Sequence, residues 1–589
     1  MQKNDSDAHH AQPSPLASSI NTVFSRPCYQ VFDNPTPLDG KLLKPGVWHL
    51  GKKSSRGEEE APTHEWLCGP LHVDAITHSQ SQNADYGRLL RIQNRDGHWL
   101  TWAMPEELLA GRPQTILAKL YSMGLEIDYQ SHRQVMLYIA SQAPEQRIIC
   151  TPVTGWHGAS LFVTPLECIG QGQAIYQTGD EAVGEYDKAG TLDGWRETIG
   201  AALSGNPLLQ LGIGTALAAT LLAPLNLYSS GGFHLLWDSS NGKTVVVQCA
   251  ASVWGHGVHF TLKWNATANG LEGIAALRND CLLALDELGQ ADPHSVGDVV
   301  YSMADGIGKQ RAGSSTAARQ VRRWRVMLLS SGEVTLETKM AEAGKRTRAG
   351  QEVRLVTLSA GRTHGAFDNL HKHPDGATFA EALVLASVSN YGHVGPEFVR
   401  RLIASGDMEK LATMLATIRA NFPANTGQSA RVAMRFALVA LALELAVDME
   451  LLPIASGEGT SSMIELFKNW LAERGAGPCE DKQILRAVRD FIDRHGSTRF
   501  QSLITGEKGV RDRAGYLENG PNGRWYLFNR SGLEEATRGF ELTRVTRTLD
   551  KVGALVKKEP GKMQHKKRLP DGSSPGLYWI DPTRLEPSD

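Results

Sequence analysis

Two apolar segments, each ending in polar or charged residues, constrain the fold of this chain more than any other feature. The first, FHLLW, begins at Phe233 and is followed by DSSNGKT and a stretch of helical composition up to Trp254. The second, CLLAL, begins at Cys281 and ends in two adjacent acids. Short apolar runs that alternate with helical patterns are typical of a parallel sheet with crossover helices. The region from about 195 to 375 is therefore predicted to be an α/β domain.

The loop after the first segment resembles a phosphate-binding loop in which one residue is changed. The usual pattern is Gly, four residues, then Gly-Lys-Ser/Thr, but Trp237 stands at the position of the first glycine. Backbone N–H groups at the start of the following helix would bind phosphate, with Lys243 on the β- and γ-phosphates and Thr244 on Mg²⁺. The residues expected to contact the nucleotide are Ser239, Ser240, Asn241, Gly242, Lys243, Thr244 and Val245.

The acidic end of the second segment argues against a chance Gly-Lys-Thr. Two acids at the end of a buried strand are costly unless a cation or a substrate meets them. Asp286 is expected to hold Mg²⁺ through water, and Glu287 to polarise the attacking water. A third apolar run, WRVMLLSSGE, ends in Ser330 and Ser331, and Ser331 suits a sensor of the γ-phosphate. The three segments together predict a site for ATP and Mg²⁺.

Basic residues are concentrated beside this predicted site. The insertion YSMADGIGKQRAGSSTAARQVRRWR has a hairpin-like centre, and its cations suit contact with a nucleic-acid backbone without sequence readout. Lys309, Arg311 and Arg319 are the proposed DNA contacts, in a run that also contains Arg322, Arg323 and Arg325. Candidates for an arginine that acts in a neighbouring subunit's site are Arg346, Arg348 and Arg354, with a plain surface arginine as the alternative. In the helical region, Arg431 and Arg435 are candidates for closing on the bound nucleotide from the lid, with an ordinary helix salt bridge as the alternative.

Changes in composition along the chain predict five regions. The tryptophans Trp99, Trp102 and Trp156 are expected in the core of the second region, and the uncharged stretch 207–228 is expected to be a buried helix rather than a membrane span. The regions are a tail and linker over 1–62, a β-rich α+β domain over 63–192, the α/β core over 193–376, a helical lid over 377–476 and a basic module over 477–589.

Overall composition narrows the class of protein further. Hydrophobic content of 41% and a formal net charge of −2 fit a soluble protein whose DNA-binding surface is local. The seven cysteines form no Cys-x-x-Cys pair, which argues against a zinc site and a disulfide framework. The polar N-terminus lacks the features of a signal peptide. A cytoplasmic protein without a membrane segment is expected.

Several quoted stretches occur in the order found in a known family. GGFHLLWDSSNGKT, LALDELGQADPHSVGDVVYSMADGIGKQRA, WRVMLLSSGE, AGQEVRL and RVAMRFALV resemble the domain-of-unknown-function 927 family, over about 65 to 500. That family occurs in plasmids, prophages and mobile elements and includes helicases and inactivated derivatives. Some members are similar to minichromosome-maintenance helicases, which are AAA+ hexamers with a hairpin before the sensor strand and a C-terminal winged helix.

The resemblance implies an AAA+-like P-loop NTPase core with a β-rich α+β N-terminal domain, a helical lid and a C-terminal winged-helix domain. It implies a bacterial homo-hexamer that contacts single-stranded DNA through the 305–325 hairpin, and possible replication partner proteins. Lys566, Lys567 and Arg568 would lie on the wing and bind duplex DNA. Trp237 and Val245 depart from the family pattern and place full ATPase activity in question.

Two functions from different classes remain open at this point. The first is an ATP-driven DNA helicase or translocase of a mobile genetic element, with a role in its replication. The second is a nucleotide-gated DNA-binding initiator or regulator without motor activity, which Trp237 favours. A primase–helicase has little support, because no acidic cluster or metal-ligand pattern occurs in the first 190 residues.

Overall fold

The computed structural model describes most of the chain, which divides into two compact units. The described residues are 24–53, 61–79, 84–111, 113–172, 174–177, 185–228, 230–308, 321–345, 349–424, 426–474, 479–503, 510–521 and 523–585. The first unit comprises Met1–Pro152 and Gly172–Glu181, and the second comprises Val153–Gln171 and Ala182–Asp589.

The first unit is rich in strands and carries two longer helices. Its strands form sheets of order β1-β4-β5, β2-β3 and β13-β9-β6-β7-β8. Its elements are β1 (Cys28–Phe32), β2 (Thr36–Leu38), β3 (Lys41–Leu43), β4 (Gly46–Lys53), β5 (Ala61–Cys68), β6 (Leu71–His78), β7 (Gly87–Gln93), β8 (Trp99–Pro105), α1 (Glu107–Ala110), α2 (Pro113–Ser122), α3 (His132–Ser141), β9 (Arg147–Thr151) and, after a hairpin that belongs to the second unit, β13 (Ala174–Tyr176). The hairpin predicted around Asp96 is confirmed, since β7 and β8 pair antiparallel with Gln93 opposite Trp99.

Two expectations for this part of the chain were wrong. The segment 28–53 is not tail or linker, because β1 and β4 pair over five residues and β4 continues the sheet to β5. Its strands are short and interrupted by polar turns, which hid them in the sequence. Trp99 is not a core residue: it is 39% exposed, whereas Trp156 is 7% exposed. The exposed indole lies beside the Arg91 guanidinium, 4.6 Å from the ring centroid.

The second unit is built on a parallel sheet of order β15-β16-β17-β14-β18. All its neighbouring strands pair in parallel, as the alternation of apolar runs and helical patterns predicted. Its first elements are β10 (Gly155–Trp156), β11 (Leu161–Val163), β12 (Cys168–Gly170), α4 (Leu192–Trp195), α5 (Pro207–Ala218), β14 (Gly231–Leu236), α6 (Lys243–Ala251), β15 (Leu262–Lys263), α7 (Ala268–Leu277), β16 (Cys281–Asp286), α8 (Val296–Asp305), β17 (Val326–Gly332), α9 (Leu336–Ala341), α10 (Ala349–Glu352) and β18 (Leu355–Ser359).

Alternate residues of the central strands face two different apolar cores. On β16, Leu282 and Ala284 join one cluster with α5 and α6, while Leu283 and Leu285 join another with α7, α8 and α9. Successive side chains of a strand point to opposite faces, so a strand buried on both faces reads as a continuous apolar run. Both β16 and β17 are buried along their whole length.

The helical region shares the first of these cores with the sheet. Its helices are α11 (Gly376–Ser389), α12 (Val394–Ser405), α13 (Leu411–Arg419), α14 (Gly427–Asp448) and α15 (Glu458–Arg474). Phe436 of α14 packs against Phe233 of β14, with ring centroids 4.9 Å apart. The predicted buried helix is α5, and every residue of it is buried. Within the described part of the chain, none of the helices combines the length and the apolar character needed to cross a bilayer.

The C-terminal module consists of three helices and a sheet of order β19-β20-β21-β24-β22, to which β23 adds. Helices α17 and α18 follow one another and are followed by the β22–β24 strands. The elements are α16 (Cys479–His495), β19 (Phe500–Ser502), β20 (Gly515–Gly520), β21 (Gly523–Phe528), α17 (Arg530–Ala536), α18 (Leu542–Lys551), β22 (Leu555–Lys557), β23 (His565–Lys566) and β24 (Gly576–Ile580).

Candidate nucleotide-binding site

The loop between β14 and α6, which the sequence predicted to bind phosphate, contains two residues with left-handed backbone. Gly242 is the N-cap of α6 with φ of 82°, and Ser240 has φ of 62°. Because glycine has no side chain, no cap group competes for the N–H groups of the first helical turn. Lys243 is buried, and its Nζ donates to the Asp238 carbonyl at 2.5 Å. The lysine ammonium is therefore folded back over the loop.

The segment that follows β18 supports this loop from one side. The Ala366 N–H donates to the Asn241 carbonyl at 2.7 Å. A Cβ at Gly242 would come within 2.7 Å of the Phe367 ring, so a larger residue there meets both a clash and an unfavourable φ. Packing against Phe367 therefore requires glycine at position 242, which is the glycine of the motif that this sequence retains.

Trp237, which replaces the first glycine of the motif, is accommodated by another glycine. A Cβ at Gly361, just after β18, would lie 2.5 Å from the Trp237 ring. The indole therefore lies directly against the backbone at Gly361 and is 43% exposed. The Trp237 ring fits because Gly361, on the segment after β18, has no side chain.

Asp286 is the centre of the polar cluster at the carboxyl edge of the sheet. Thr244 Oγ1 donates to Asp286 Oδ1 at 3.0 Å, and the Ser331 hydroxyl donates to the same oxygen. Lys263 Nζ lies 2.5 Å from Asp286 Oδ2. Burial by itself would raise the pKa of this carboxyl, but the hydrogen bonds from Lys263 and Ser331 outweigh it and hold the pKa below its ordinary value.

The donor set at Asp286 fits a magnesium ion. A threonine hydroxyl and a carboxylate provide hard oxygen ligands, which Mg²⁺ prefers in combination with substrate phosphates. Among the described residues, no group of three or more His, Cys, Asp or Glu side chains could hold a metal ion without such phosphates. Thr244 and Asp286, which the sequence predicted as metal ligands, do lie in direct contact.

Glu287 leaves the strand in a different direction from Asp286. Its backbone is left-handed, with φ of 62°, and its carboxylate accepts the Gly289 N–H at 3.3 Å. The side chain is half-buried, at the same edge of the sheet as the loop. A non-glycine residue in this conformation is uncommon and frequently marks a functional position.

The two serines at the end of β17 have different partners. Ser331 contacts Asp286, whereas Ser330 Oγ accepts from Trp264 Nε1 at 2.8 Å and lies 2.9 Å from His234 Nδ1. His234 Nε2 lies 3.0 Å from the Val334 carbonyl, so this nitrogen carries the proton and Nδ1 accepts from Ser330. Burial lowers the pKa of His234 to about 4, which keeps the ring neutral. This network fixes the strand that presents Ser331.

The sequence did not reveal Lys263, His234 or Trp264 as members of the cluster. Their contacts depend on strand pairing across the sheet, with Lys263 opposite Asp286 on the neighbouring strand. A single lysine at the end of a short apolar run was the only available signal for Lys263.

Of the candidate arginines, Arg354 lies at the amino edge of the sheet. Arg346 and Arg348 lie outside the described residues. Arg354 directly precedes β18, so it is at the edge opposite to the phosphate loop; its guanidinium contacts Asp305 at 2.8 Å and lies 4.4 Å from the Tyr301 ring centroid.

The suggestion that Arg435 closes on the nucleotide is wrong. Its Nη1 donates to the Val353 carbonyl at 2.7 Å, and its guanidinium lies against Gly231 at the beginning of β14. Desolvation of the guanidinium lowers the pKa of Arg435 to about 10. The residue thus fills a structural position at the amino edge, while Arg431 one turn earlier is exposed.

The proposed DNA contacts Lys309, Arg311 and Arg319 lie outside the described residues, but the base of their insertion is described. Its two ends pair antiparallel: the Gly308 N–H donates to the Arg322 carbonyl at 2.9 Å, and the Trp324 N–H donates to the Gly306 carbonyl at 3.0 Å. Arg322 and Arg323 are exposed. Arg325 is not available for DNA, because its Nε and Nη2 bind the buried Asp280 at 2.6 and 2.8 Å.

The three basic residues expected on the C-terminal wing do not all face outward. Lys566 and Arg568 are exposed, whereas Lys567 between them pairs with Glu518 at 2.7 Å. Side chains alternate along an extended segment, which accounts for the difference. On α18, Thr543 and Arg547 are exposed, and Arg544 and Lys551 pair with Asp481 of α16.

These observations define an α/β protein with a parallel sheet and a phosphate-loop cluster at its carboxyl edge. The family model "Domain of unknown function (DUF927)" matches residues 39–323, a segment that contains both the loop and the acidic strand. The predicted resemblance is confirmed over this segment.

The solved structures that match this chain include a helicase that aligns over nearly its whole length. The structure titled "SCCmec type IV Cch - active helicase" has a TM-score of 0.66 and 16% identity, and the alignment covers 95% of this chain and 98% of that one. At this identity the likeness shows the fold alone. NtrX from Brucella abortus (15% identity, 42% and 67% covered, TM-score 0.19) and the NrS-1 C-terminal region (9%, 86% and 95%, 0.26) are too dissimilar to support an argument. No curated protein matches.

Proposed function

We propose that this protein is an ATP-driven DNA helicase or translocase of a mobile genetic element. The observation that carries the proposal is the convergence of Lys243, Thr244, Asp286 and Ser331 at one edge of a parallel sheet. The sensor strand β17 lies between the loop strand β14 and the acidic strand β16, and this strand order supports an AAA+-like core. The helicase whose fold is similar over nearly the whole chain supports the same class.

Each side chain of the cluster has a distinct role in ATP hydrolysis. Lys243, released from the Asp238 carbonyl, binds the β- and γ-phosphates, and the N–H groups of the first turn of α6 bind phosphate oxygens. Thr244 and Asp286 hold Mg²⁺, which when bound neutralises charge on the phosphates. Glu287 orients the attacking water, and Ser331 contacts the γ-phosphate.

Coupling to DNA is assigned to the basic insertion and the C-terminal module. In a hexameric ring, the 305–325 insertion carries Lys309, Arg311 and Arg319 to single-stranded DNA, and its paired base connects them to the sensor strand β17. The C-terminal module resembles a winged helix, with Lys566 and Arg568 exposed for duplex DNA. Replication of the mobile element is the process in which such a motor would act.

The experiment compares ATP binding, ATP hydrolysis and strand displacement on forked DNA for the wild type and Lys243→Ala. Loss of the buried ammonium should abolish all three activities, because nothing else in the loop neutralises the phosphates. Lys410→Ala is the matched control, since this lysine is 73% exposed on its side chain and its salt bridge among the described residues is with Asp407. Strand displacement that persists in Lys243→Ala would exclude the motor.

The non-motor initiator is the outcome in which ATP is hydrolysed without strand displacement. Its support from the sequence was Trp237, and the contact of this residue with Gly361 weakens that support. Electron-microscope images of the wild type with ATP and DNA test the ring directly: six-membered particles are expected.

A further inference from the structure

Lys263 contacts the oxygen of the Asp286 carboxylate that Thr244 and Ser331 do not contact. Thr244 and Ser331 both donate to Oδ1, and Lys263 lies at Oδ2. Lys263 is the last residue of β15 and stands directly opposite Asp286 in the strand register. The backbone register therefore places Lys263 beside Asp286.

Of the three donors, Lys263 is the one that can withdraw. Its side chain is 56% exposed, whereas Ser331 is 1% exposed and held in a central strand. Thr244 is in the first turn of α6. β15 is a two-residue strand at the edge of the sheet, and a lysine side chain there reaches water by rotation about its own bonds.

We propose that Lys263 is an internal cation that competes with Mg²⁺ for Asp286 and so sets the magnesium requirement of the nucleotide site. This inference rests on the proposed function, because Mg²⁺ enters the site with ATP. A divalent ion beside Asp286 and an ammonium on the same carboxylate repel one another at short distance in a partly buried setting. Occupation by one therefore disfavours the other.

Two effects of opposite sign follow from the neutralisation of Asp286 by Lys263. Without the ammonium, Mg²⁺ meets no competitor and binds at a lower concentration. Without the ammonium, however, the bare Asp286 carboxylate repels the phosphates of metal-free ATP, whose binding becomes weaker. A residue that only stabilises the fold would change both affinities in the same direction.

The test is titration calorimetry of the full chain with a non-hydrolysable ATP analogue at stepped concentrations of free Mg²⁺, including a series in EDTA. For Lys263→Met we expect the free Mg²⁺ that half-saturates analogue binding to fall about tenfold. In EDTA we expect the analogue to bind about tenfold more weakly than to the wild type. Lys263→Arg keeps the charge and should resemble the wild type, and Lys410→Met should change neither quantity.

The outcomes separate this inference from the proposed function. If the wild type does not bind the analogue at any Mg²⁺ concentration, the nucleotide site itself is wrong. If the wild type binds it and Lys263→Met shows the same Mg²⁺ dependence, the competition is wrong and the nucleotide site stands. Parallel weakening in both series would also overturn the competition, since it identifies Lys263 as a support of the fold; unfolding midpoints of each variant accompany the titrations.

Discussion

The two edges of the parallel sheet both carry charged side chains, but they arrange them differently. At the carboxyl edge, several donors surround one carboxylate, Asp286, and the ammonium of Lys263 remains more than half exposed. At the amino edge, each cation has a partner within the chain: Arg325 binds Asp280, Arg435 binds the Val353 carbonyl, and Arg354 binds Asp305.

The difference shows how to distinguish a structural charge from a functional one in this fold. Asp280 is fully buried and accepts two hydrogen bonds from Arg325 and one from the Trp156 N–H, so its bonding capacity is used internally. At the other edge, the groups converge beside a loop whose helix N-terminus has no side-chain cap. A buried charge with complete partners stabilises the fold, whereas convergent groups beside open N–H donors can bind a ligand.

Arg354 differs from the other arginines at the amino edge because its partner, Asp305, is exposed. Of the changes considered, replacing Arg354 should have the largest effect on ATP hydrolysis. Arg354 lies at the edge opposite to its own phosphate loop, so in the proposed hexamer it would act in the site of a neighbouring subunit. Arg354→Ala should lower the ATPase kcat by about a thousandfold, the effect expected of an arginine finger, and leave ATP affinity unchanged. Steady-state ATPase assays and calorimetry measure the two quantities.

Mixing subunits sharpens this prediction. Arg354→Ala supplies an intact loop and Lys243→Ala supplies an intact arginine, so an equimolar mixture should regain part of the activity that neither variant shows alone. A mixture as inactive as its components, or an Arg354→Ala variant with weakened ATP binding, would contradict a role between subunits. Unfolding midpoints check that loss of the pair with Asp305 leaves the fold intact, as expected for a pair in which Asp305 is 51% exposed.

The Asp280–Arg325 pair should act on stability instead. Removing one member leaves an uncompensated charge, so Asp280→Ala should lower the free energy of unfolding by about 3–5 kcal/mol, while folded protein binds ATP as before. The double variant Asp280→Ala with Arg325→Met should recover part of this loss, because both charges are then gone. Urea unfolding followed by tryptophan fluorescence measures the free energy of unfolding of each variant. If folded Asp280→Ala bound ATP more weakly, the amino edge would also act on the nucleotide site, and the distinction between a structural edge and a functional edge would be wrong.

The sequence predicted the residues that end strands better than the residues that meet across them. Lys243, Thr244 and Asp286 follow apolar runs with a recognisable spacing, and parallel strands bring their carboxyl ends to one edge. Lys263 and Arg325 could not be placed in this way. Their partners depend on which strands are neighbours and on the register, and neither is encoded in local periodicity.

The parts of the fold that escaped prediction have a similar cause. The strands over 28–53 are short and alternate weakly, so they resemble linker until their antiparallel partners are known. Trp99 is a large aromatic residue of a type usually found in cores, but it stands in the exposed first part of the edge strand β8. The helical region was predicted from its composition, but the packing of its apolar faces into the same core as α5 and α6 was not.

Trp237 should produce the smallest effect, although it is the most visible departure from the phosphate-loop pattern. Because the indole lies on Gly361 and is 43% exposed, Trp237→Gly should change ATP affinity by less than about threefold. Gly361→Ala provides the matched test, since its methyl group would press on the indole and push the loop. We expect about a fivefold loss of ATP affinity for Gly361→Ala in the wild type and almost none in the Trp237→Gly background. Equal losses in both backgrounds would show that Gly361 acts on the loop independently of Trp237. The explanation that Gly361 makes room for the Trp237 ring would then be wrong.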